Sequence, residues 1–218
     1  MEIFLDSANR KEVTRLKNFP FVVGITTNPS LISQEKVKIE ELINLTRKNN
    51  LKIFIQTLGK DREDIYKEGL KYFSLYPEGV VLKIPFSSEG LKVIPVLKKE
   101  NIPIAITSIF SLSQIIVSLP LQPEYVIPYI DRIGRSGGDG IRIVREAKEI
   151  ITREKLATKI LSASFRSVKQ VEEAVLAGSD AITIPMKVLK DIMLNPLSEK
   201  AIKDFKTDWL SMNEKEHI

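Results

Sequence analysis

Two kinds of segment alternate along this chain. Short apolar runs rich in Ile, Val and Phe occupy residues 3–5, 22–25, 51–55, 80–84, 104–107, 125–130, 159–163 and 181–184. Their length and β-branched content suit buried strands. Between them, residues 40–47, 89–98, 141–151 and 171–176 place apolar side chains at helical spacing. Start signals agree. Ser30 precedes a short helical segment, Ser87 another, and Ser167 stands three residues before Gln170 at capping-box spacing. Gly178 follows the last periodic position of its helix, where a left-handed stop is expected. A further helix is expected over about 198–212.

Eight strands alternating with helices predict parallel βαβ units in one α/β domain spanning residues 1–218. An open doubly wound sheet would place a G-x-G-x-x-G turn after its first strand. Here that turn reads Asp6, Ser7, Ala8, Asn9, Arg10, without a glycine. The stretch Ser136-Gly137-Gly138-Asp139-Gly140 lacks the fingerprint spacing and reads as a loop entering a helix. The expectation is therefore a closed (β/α)8 TIM barrel with few insertions, since such barrels need about 200 residues at least and the chain has 218.

Composition narrows the chemistry. No run approaches a membrane span. The first residues carry no basic stretch followed by an apolar one, so a cytoplasmic protein without signal peptide is expected. Cysteine is absent, and the one histidine is His217, where a frayed terminus is expected. Thiolate nucleophiles, histidine triads and Cys/His metal sites drop out, so the chemistry of an enzyme here would rest on Lys, Asp, Glu, Tyr, Ser and Thr, or on a borrowed cofactor. The net charge of +5 invites a nucleic-acid partner. Yet Lys and Arg are interleaved with Asp and Glu, as in Lys60-Asp61-Arg62-Glu63-Asp64, and no basic block forms. A small anionic ligand suits this surplus better than a nucleic acid.

In a barrel the chemistry lies where strands run into their following loops. Those positions hold Asp6, Thr26, Asn28, Gln56, Lys83, Thr107, Tyr129, Arg132, Ser164 and Arg166. Lys83 is the sharpest feature, a lysine inside the apolar run Val80-Val81-Leu82-Lys83-Ile84-Pro85. Burying an unpaired ammonium is costly, and a lysine that sheds its proton is a nucleophile suited to Schiff-base chemistry. A lysine snorkelling from a strand end or paired structurally with Asp6 is the plainer alternative. Asp6 is either a helix cap or, beside Lys83, a general base. Arg132, Ser164 and Arg166 offer guanidinium forks and a hydroxyl matched to a phosphate. Gln56, Thr107 and Tyr129 are uncharged groups able to hold a water near the lysine.

Taken together, Gly24-Ile25-Thr26-Thr27-Asn28-Pro29-Ser30, Val81-Leu82-Lys83-Ile84-Pro85, Tyr129-Ile130-Asp131-Arg132, Ala163-Ser164-Phe165-Arg166 and Ala177-Gly178-Ser179-Asp180 resemble the small transaldolases and fructose-6-phosphate aldolases. The resemblance covers nearly the whole chain, in order. It implies a class I mechanism on sugar phosphates that uses no metal and no cofactor. Lys83 matches the Schiff-base lysine, Asp6 the base for the C4 hydroxyl, Asn28 a binder of substrate hydroxyls, and Thr107 a holder of the catalytic water. Arg132, Ser164 and Arg166 match the phosphate grip. The resemblance also implies a homo-oligomer, a pentamer or decamer, with the C-terminal helix on a neighbouring subunit. Gln56, Ala105 and Tyr129 look more like the aldolase branch, which releases dihydroxyacetone, than the transaldolase branch, which passes it to a second sugar. A phosphosugar-binding barrel without catalysis is the rival from another class.

Overall fold

The computed structural model describes residues 1–215, so His217 lies outside the described residues. Among them are the strands β1 (Glu2–Asp6), β2 (Val22–Thr26), β3 (Lys52–Gln56), β4 (Val80–Pro85), β5 (Ile104–Ile109), β6 (Tyr125–Pro128), β7 (Lys159–Ser162) and β8 (Ala181–Ile184). They pair in chain order, all parallel, and β8 returns to β1 to close the barrel. Helix α1 (Arg10–Arg15) follows β1, and α2 (Pro29–Glu35) and α3 (Ile39–Lys48) follow β2. Then α4 (Arg62–Leu75), α5 (Ser88–Lys99) and α6 (Leu112–Ser118) each follow one strand. Helices α7 (Ile130–Arg135) and α8 (Gly140–Arg153) follow β6, and α9 (Val168–Leu176) follows β7. The described chain ends in α10 (Met186–Met193) and α11 (Pro196–Lys215). None of these helices is long and apolar enough to cross a membrane.

The strand period of two sorts the side chains into two cores. Leu5, Ile53, Ile55, Leu82, Ile84, Ile106 and Ile184 point outward into a large layer shared with the helices. Phe4, Phe54, Val81, Ala105, Tyr125, Leu161 and Ala181 fill the barrel itself. There, the Phe54 ring meets Phe4 edge-on at 4.9 Å and Tyr125 at 5.2 Å. Below these rings Glu2 accepts from Tyr125 Oη (2.7 Å), Lys159 Nζ (3.0 Å) and Lys52 Nζ (3.1 Å), closing the foot of the barrel.

Three expectations shift in detail. The helix expected after Ser30 begins at Pro29, whose fixed φ suits the first helical position, and Asn28 caps it by accepting from Leu31 N at 3.0 Å. At Ser167 only half of the capping box forms. Its hydroxyl accepts from Gln170 N, but Gln170 Oε1 accepts from Arg166 N, and the reciprocal box occurs instead at Ser111 and Gln114. The apolar run 125–130 is not one strand. β6 stops at Pro128, Tyr129 makes a single bridge to Ala163, and Ile130 opens α7. Gly178 behaves as read, with φ +108° after α9. Gly140 enters α8 behind the Asp139 cap, so the glycine stretch before it is a helix-entry loop.

Candidate active site

The inward positions two residues above the barrel core come next along each strand. On β4 the sequence Val81, Lys83 carries the pattern from a packed valine to a lysine that is 4% exposed. On β1, Phe4 gives way to Asp6, and on β8, Ala181 gives way to Thr183. These side chains open on a cavity of about 290 Å3 at the carboxyl ends of the strands. Asp6, Thr26, Asn28, Lys83, Tyr129, Arg132, Ser164 and Arg166 all line it. A groove of about 400 Å3 lies at the opposite end of the barrel, around Pro103, Pro123 and Thr158. Its Lys98 donates to the carbonyls of Leu121 and Gln122, and its lining holds no counterpart to Asp6 and the buried Lys83 of the mouth.

Lys83 Nζ donates to the Thr27 carbonyl at 2.6 Å. That bond aims the amine between β2 and β4. Asp6 does not cap α1; Asn9 does, accepting from the amides of Lys11 and Glu12. Asp6 instead accepts from Thr26 Oγ1 at 2.9 Å, and Thr26 Oγ1 lies 2.6 Å from Thr183 Oγ1. Burial pushes the Asp6 carboxyl above its ordinary range. The charge of Lys83, the Thr26 hydroxyl and then the charges of Arg132 and Arg166 pull it back without cancelling the rise. A carboxyl so placed is a stronger base than an ordinary aspartate, poised for proton transfer.

On the far wall, Tyr129 Oη and Thr107 Oγ1 share a hydrogen bond of 2.9 Å. The Arg132 guanidinium lies 4.9 Å from the Tyr129 ring centroid, and the Phe110 ring meets it edge-on at 5.5 Å. The register of β5 slips between Ile106 and Ile109, and Ser108 sits at φ +60°, so a bulge re-aims the strand beside the site. Ser164 also sits at φ +65° where β7 ends. Such a backbone costs energy for a non-glycine residue and concentrates at functional sites. The Ser164 carbonyl accepts from Asp131 N at 3.0 Å, which ties this turn to α7 and so to Arg132. Arg166 Nε is 3.8 Å from Asp131 Oδ2, and Arg135 Nε is 2.8 Å from the same oxygen. Arg132 and Arg166 are both solvent-exposed, and both line the cavity.

Two of the residues read from the sequence do not line the cavity. Thr107 is fully buried behind Tyr129 and reaches the site through it. Gln56 pairs with Lys83 in the β3–β4 register and sits beside it, off the cavity wall. The sequence reading missed Thr183 and, on α2, Ser30 and Gln34 as lining residues. Thr183 did leave a signal, a lone hydroxyl at an inward position of the apolar strand Ala181-Ile182-Thr183-Ile184. Among the described residues no group of three or more His, Cys, Asp or Glu side chains is arranged to hold a metal ion.

Known structures share the architecture. A flavocytochrome b2 variant superposes with a TM-score of 0.64 at 15% identity, over 85% of this chain and 57% of that one. A sulfite-bound variant of the same protein gives 0.64 at 14%. The recombinant flavin-binding domain of baker's yeast flavocytochrome b2 gives 0.62 at 15%. The chain spans 57% of the length of these structures, and at such identities the likeness is one of fold alone. The sequence carries more. Residues 3–217 match the model of the family described as Transaldolase/Fructose-6-phosphate aldolase. With a lysine, a carboxylate and two arginines gathered at the mouth of a closed barrel, this chain belongs to the Transaldolase/Fructose-6-phosphate aldolase family.

Proposed function

We propose that this protein is a class I aldolase that cleaves and forms the C3–C4 bond of fructose 6-phosphate through a Schiff base on Lys83. The observation that carries the reading is the burial of Lys83 in the same cavity as Asp6. In its neutral form Lys83 adds to the ketone carbon, and loss of water leaves an iminium. Asp6 takes the C4 hydroxyl proton as the C3–C4 bond breaks, and the electron pair moves into the iminium to give an enamine. Glyceraldehyde 3-phosphate departs. Protonation of the enamine at C3 restores the iminium, and water then releases dihydroxyacetone and frees Lys83.

Arg132 and Arg166, on adjacent βα units, hold the phosphate by charge-assisted bonds. Asn28 uses its carbonyl oxygen to cap α2, which leaves its amide NH2 group for substrate hydroxyls. Tyr129, with Thr107 behind it, supports a placed water and proton donor beside the iminium. That pair favours release of dihydroxyacetone over its transfer to an aldose phosphate, the transaldolase outcome of the same enamine.

The proposal extends to assembly. Leu197, Ile202, Phe205, Trp209, Leu210 and Met212 on α11 are all exposed in the single chain. Apolar surface of this kind marks an interface, here with further copies of this chain in a ring.

Borohydride reduction in the presence of dihydroxyacetone tests the chemistry. The expected result is one substrate-derived mass addition, mapped to Lys83. An unmodified Lys83 overturns the Schiff-base reading.

A further inference from the structure

Thr183 is 2% exposed and stands on β8, one strand away from Asp6. Thr26 stands on the other flank, opposite Asp6 in the β1–β2 register. The two threonine oxygens approach to 2.6 Å in front of the carboxylate. A hydroxyl carries one proton. The Thr26 proton is directed to Asp6 Oδ1 at 2.9 Å. Two oxygens at 2.6 Å need a proton between them, and only the Thr183 hydroxyl has one left to give. The direction of the chain follows: Thr183 donates to Thr26, and Thr26 donates to Asp6.

We propose that Thr183 is a positioning residue that acts on Asp6 through Thr26, fixing the orientation and strengthening the donation of the Thr26 hydroxyl. The proposal rests on reading Asp6 as the proton acceptor of the reaction. Hydrogen bonds in a chain polarise one another, most of all where the surroundings exclude water. Pinned from both sides, Thr26 cannot swing its proton away from Oδ1, and Oδ2 stays free for the C4 hydroxyl. Removal of the Thr183 hydroxyl weakens support for the carboxylate and makes Asp6 harder to ionise.

The test follows the Asp6 carboxyl directly, by carbon-13 NMR titration of protein labelled at aspartate, with Asp6→Asn to assign the signal. Thr183→Val should move the Asp6 titration upward by roughly half a pH unit and lower kcat/KM on its acid limb about threefold. Thr183→Ser should titrate like the wild type, because it restores the hydroxyl. In a Thr26→Val background the Thr183→Val change should add nothing, since its effect travels through Thr26. Thr183→Ala gives the same reading should the valine variant not fold. An unmoved titration, a full extra shift in the Thr26→Val background, or a Thr183→Ser protein that behaves like Thr183→Val overturns the proposal. The NMR readout does not depend on turnover. A missing borohydride adduct at Lys83 sinks the aldolase reading, whereas an unmoved Asp6 titration sinks the relay.

Discussion

Glu2 and Asp6 stand four residues apart on β1, both on the barrel-facing side, one at the foot and one at the mouth. Burial raises both carboxyls, yet they end on opposite sides of the ordinary range. At the foot, hydrogen bonds from Tyr125, Lys159 and Lys52 override burial and hold Glu2 at about 2. At the mouth, Lys83 donates to the Thr27 carbonyl and acts on Asp6 through its charge, and the arginines likewise act on it through theirs. The foot is a closed polar network in which every strong donor meets the acid, which stabilises the fold. The mouth keeps its acid under-supported, which costs stability and is the arrangement expected where a fold gives up stability for function. One strand with one alternation thus carries one carboxyl held below its ordinary range and one held above it.

The sharpest way to break this contrast is Lys83→Met, which keeps length and apolar volume while removing the amine. Cleavage of fructose 6-phosphate should fall on the order of 10⁴-fold or more. The melting temperature should hold within a few degrees, because methionine preserves the packing of the buried stem. Loss of folding in place of loss of activity would make Lys83 a structural lysine like those at the foot.

Asp6→Asn should lower cleavage by about 10²–10⁴-fold while the Lys83 adduct still forms. Its effect on stability has a definite sign. A carboxyl raised by folding stabilises the native state at low pH, and that contribution is lost as pH rises through its folded value. Asp6→Asn should therefore raise the melting temperature at neutral pH and not in acid, as followed by thermal melts across pH.

Tyr129→Phe should depress dihydroxyacetone release by about 10²-fold or more. Transfer to erythrose 4-phosphate should suffer much less, because that acceptor captures the enamine before protonation. Coupled assays with and without the acceptor measure both. Equal loss of both activities, or of neither, would remove Tyr129 from the release step.

Glu2→Gln reverses the pattern of Asp6→Asn, with near-normal turnover and a loss of about 2–4 kcal/mol at neutral pH by denaturant titration. Glu2 contributes stability above its ordinary value near 4.5, and this is lost as pH falls toward about 2. The variant should accordingly flatten the acid limb of the stability curve over that window.

The smallest effect belongs to Arg132→Ala. It should raise KM for fructose 6-phosphate roughly 10–100-fold while sparing dihydroxyacetone, which lacks a phosphate. Equal loss for both would assign the arginine to packing against the Tyr129 ring.

The eight strands were legible in the sequence because each is an apolar run of the right length, and all eight begin and end within two residues of their predicted bounds. The sixth teaches the limit. Residues 125–130 are apolar or aromatic throughout apart from Pro128, so pattern alone could not see that the chain leaves the sheet at Pro128 and turns into α7. Lys83 and Asp6 were legible because a charge in or beside an apolar strand contradicts its surroundings. Thr183 was not singled out, because a threonine fits a strand equally well as a packing residue.

Local pattern by itself determined the alternation of strand and helix, and with it which residues stand at strand ends. Hydrophobic burial has a period, and that period is written into neighbouring positions. Only closure of the barrel decided the rest. Closure brings β8 beside β1, so that Thr183, 177 positions after Asp6 in the chain, can reach its carboxylate through Thr26. Closure also sets Glu2 among lysines of β3 and β7 while giving Asp6 none to bond. Desolvation, charge and hydrogen bonding act through space, so no reading of neighbours along the chain could tell the two carboxylates of β1 apart.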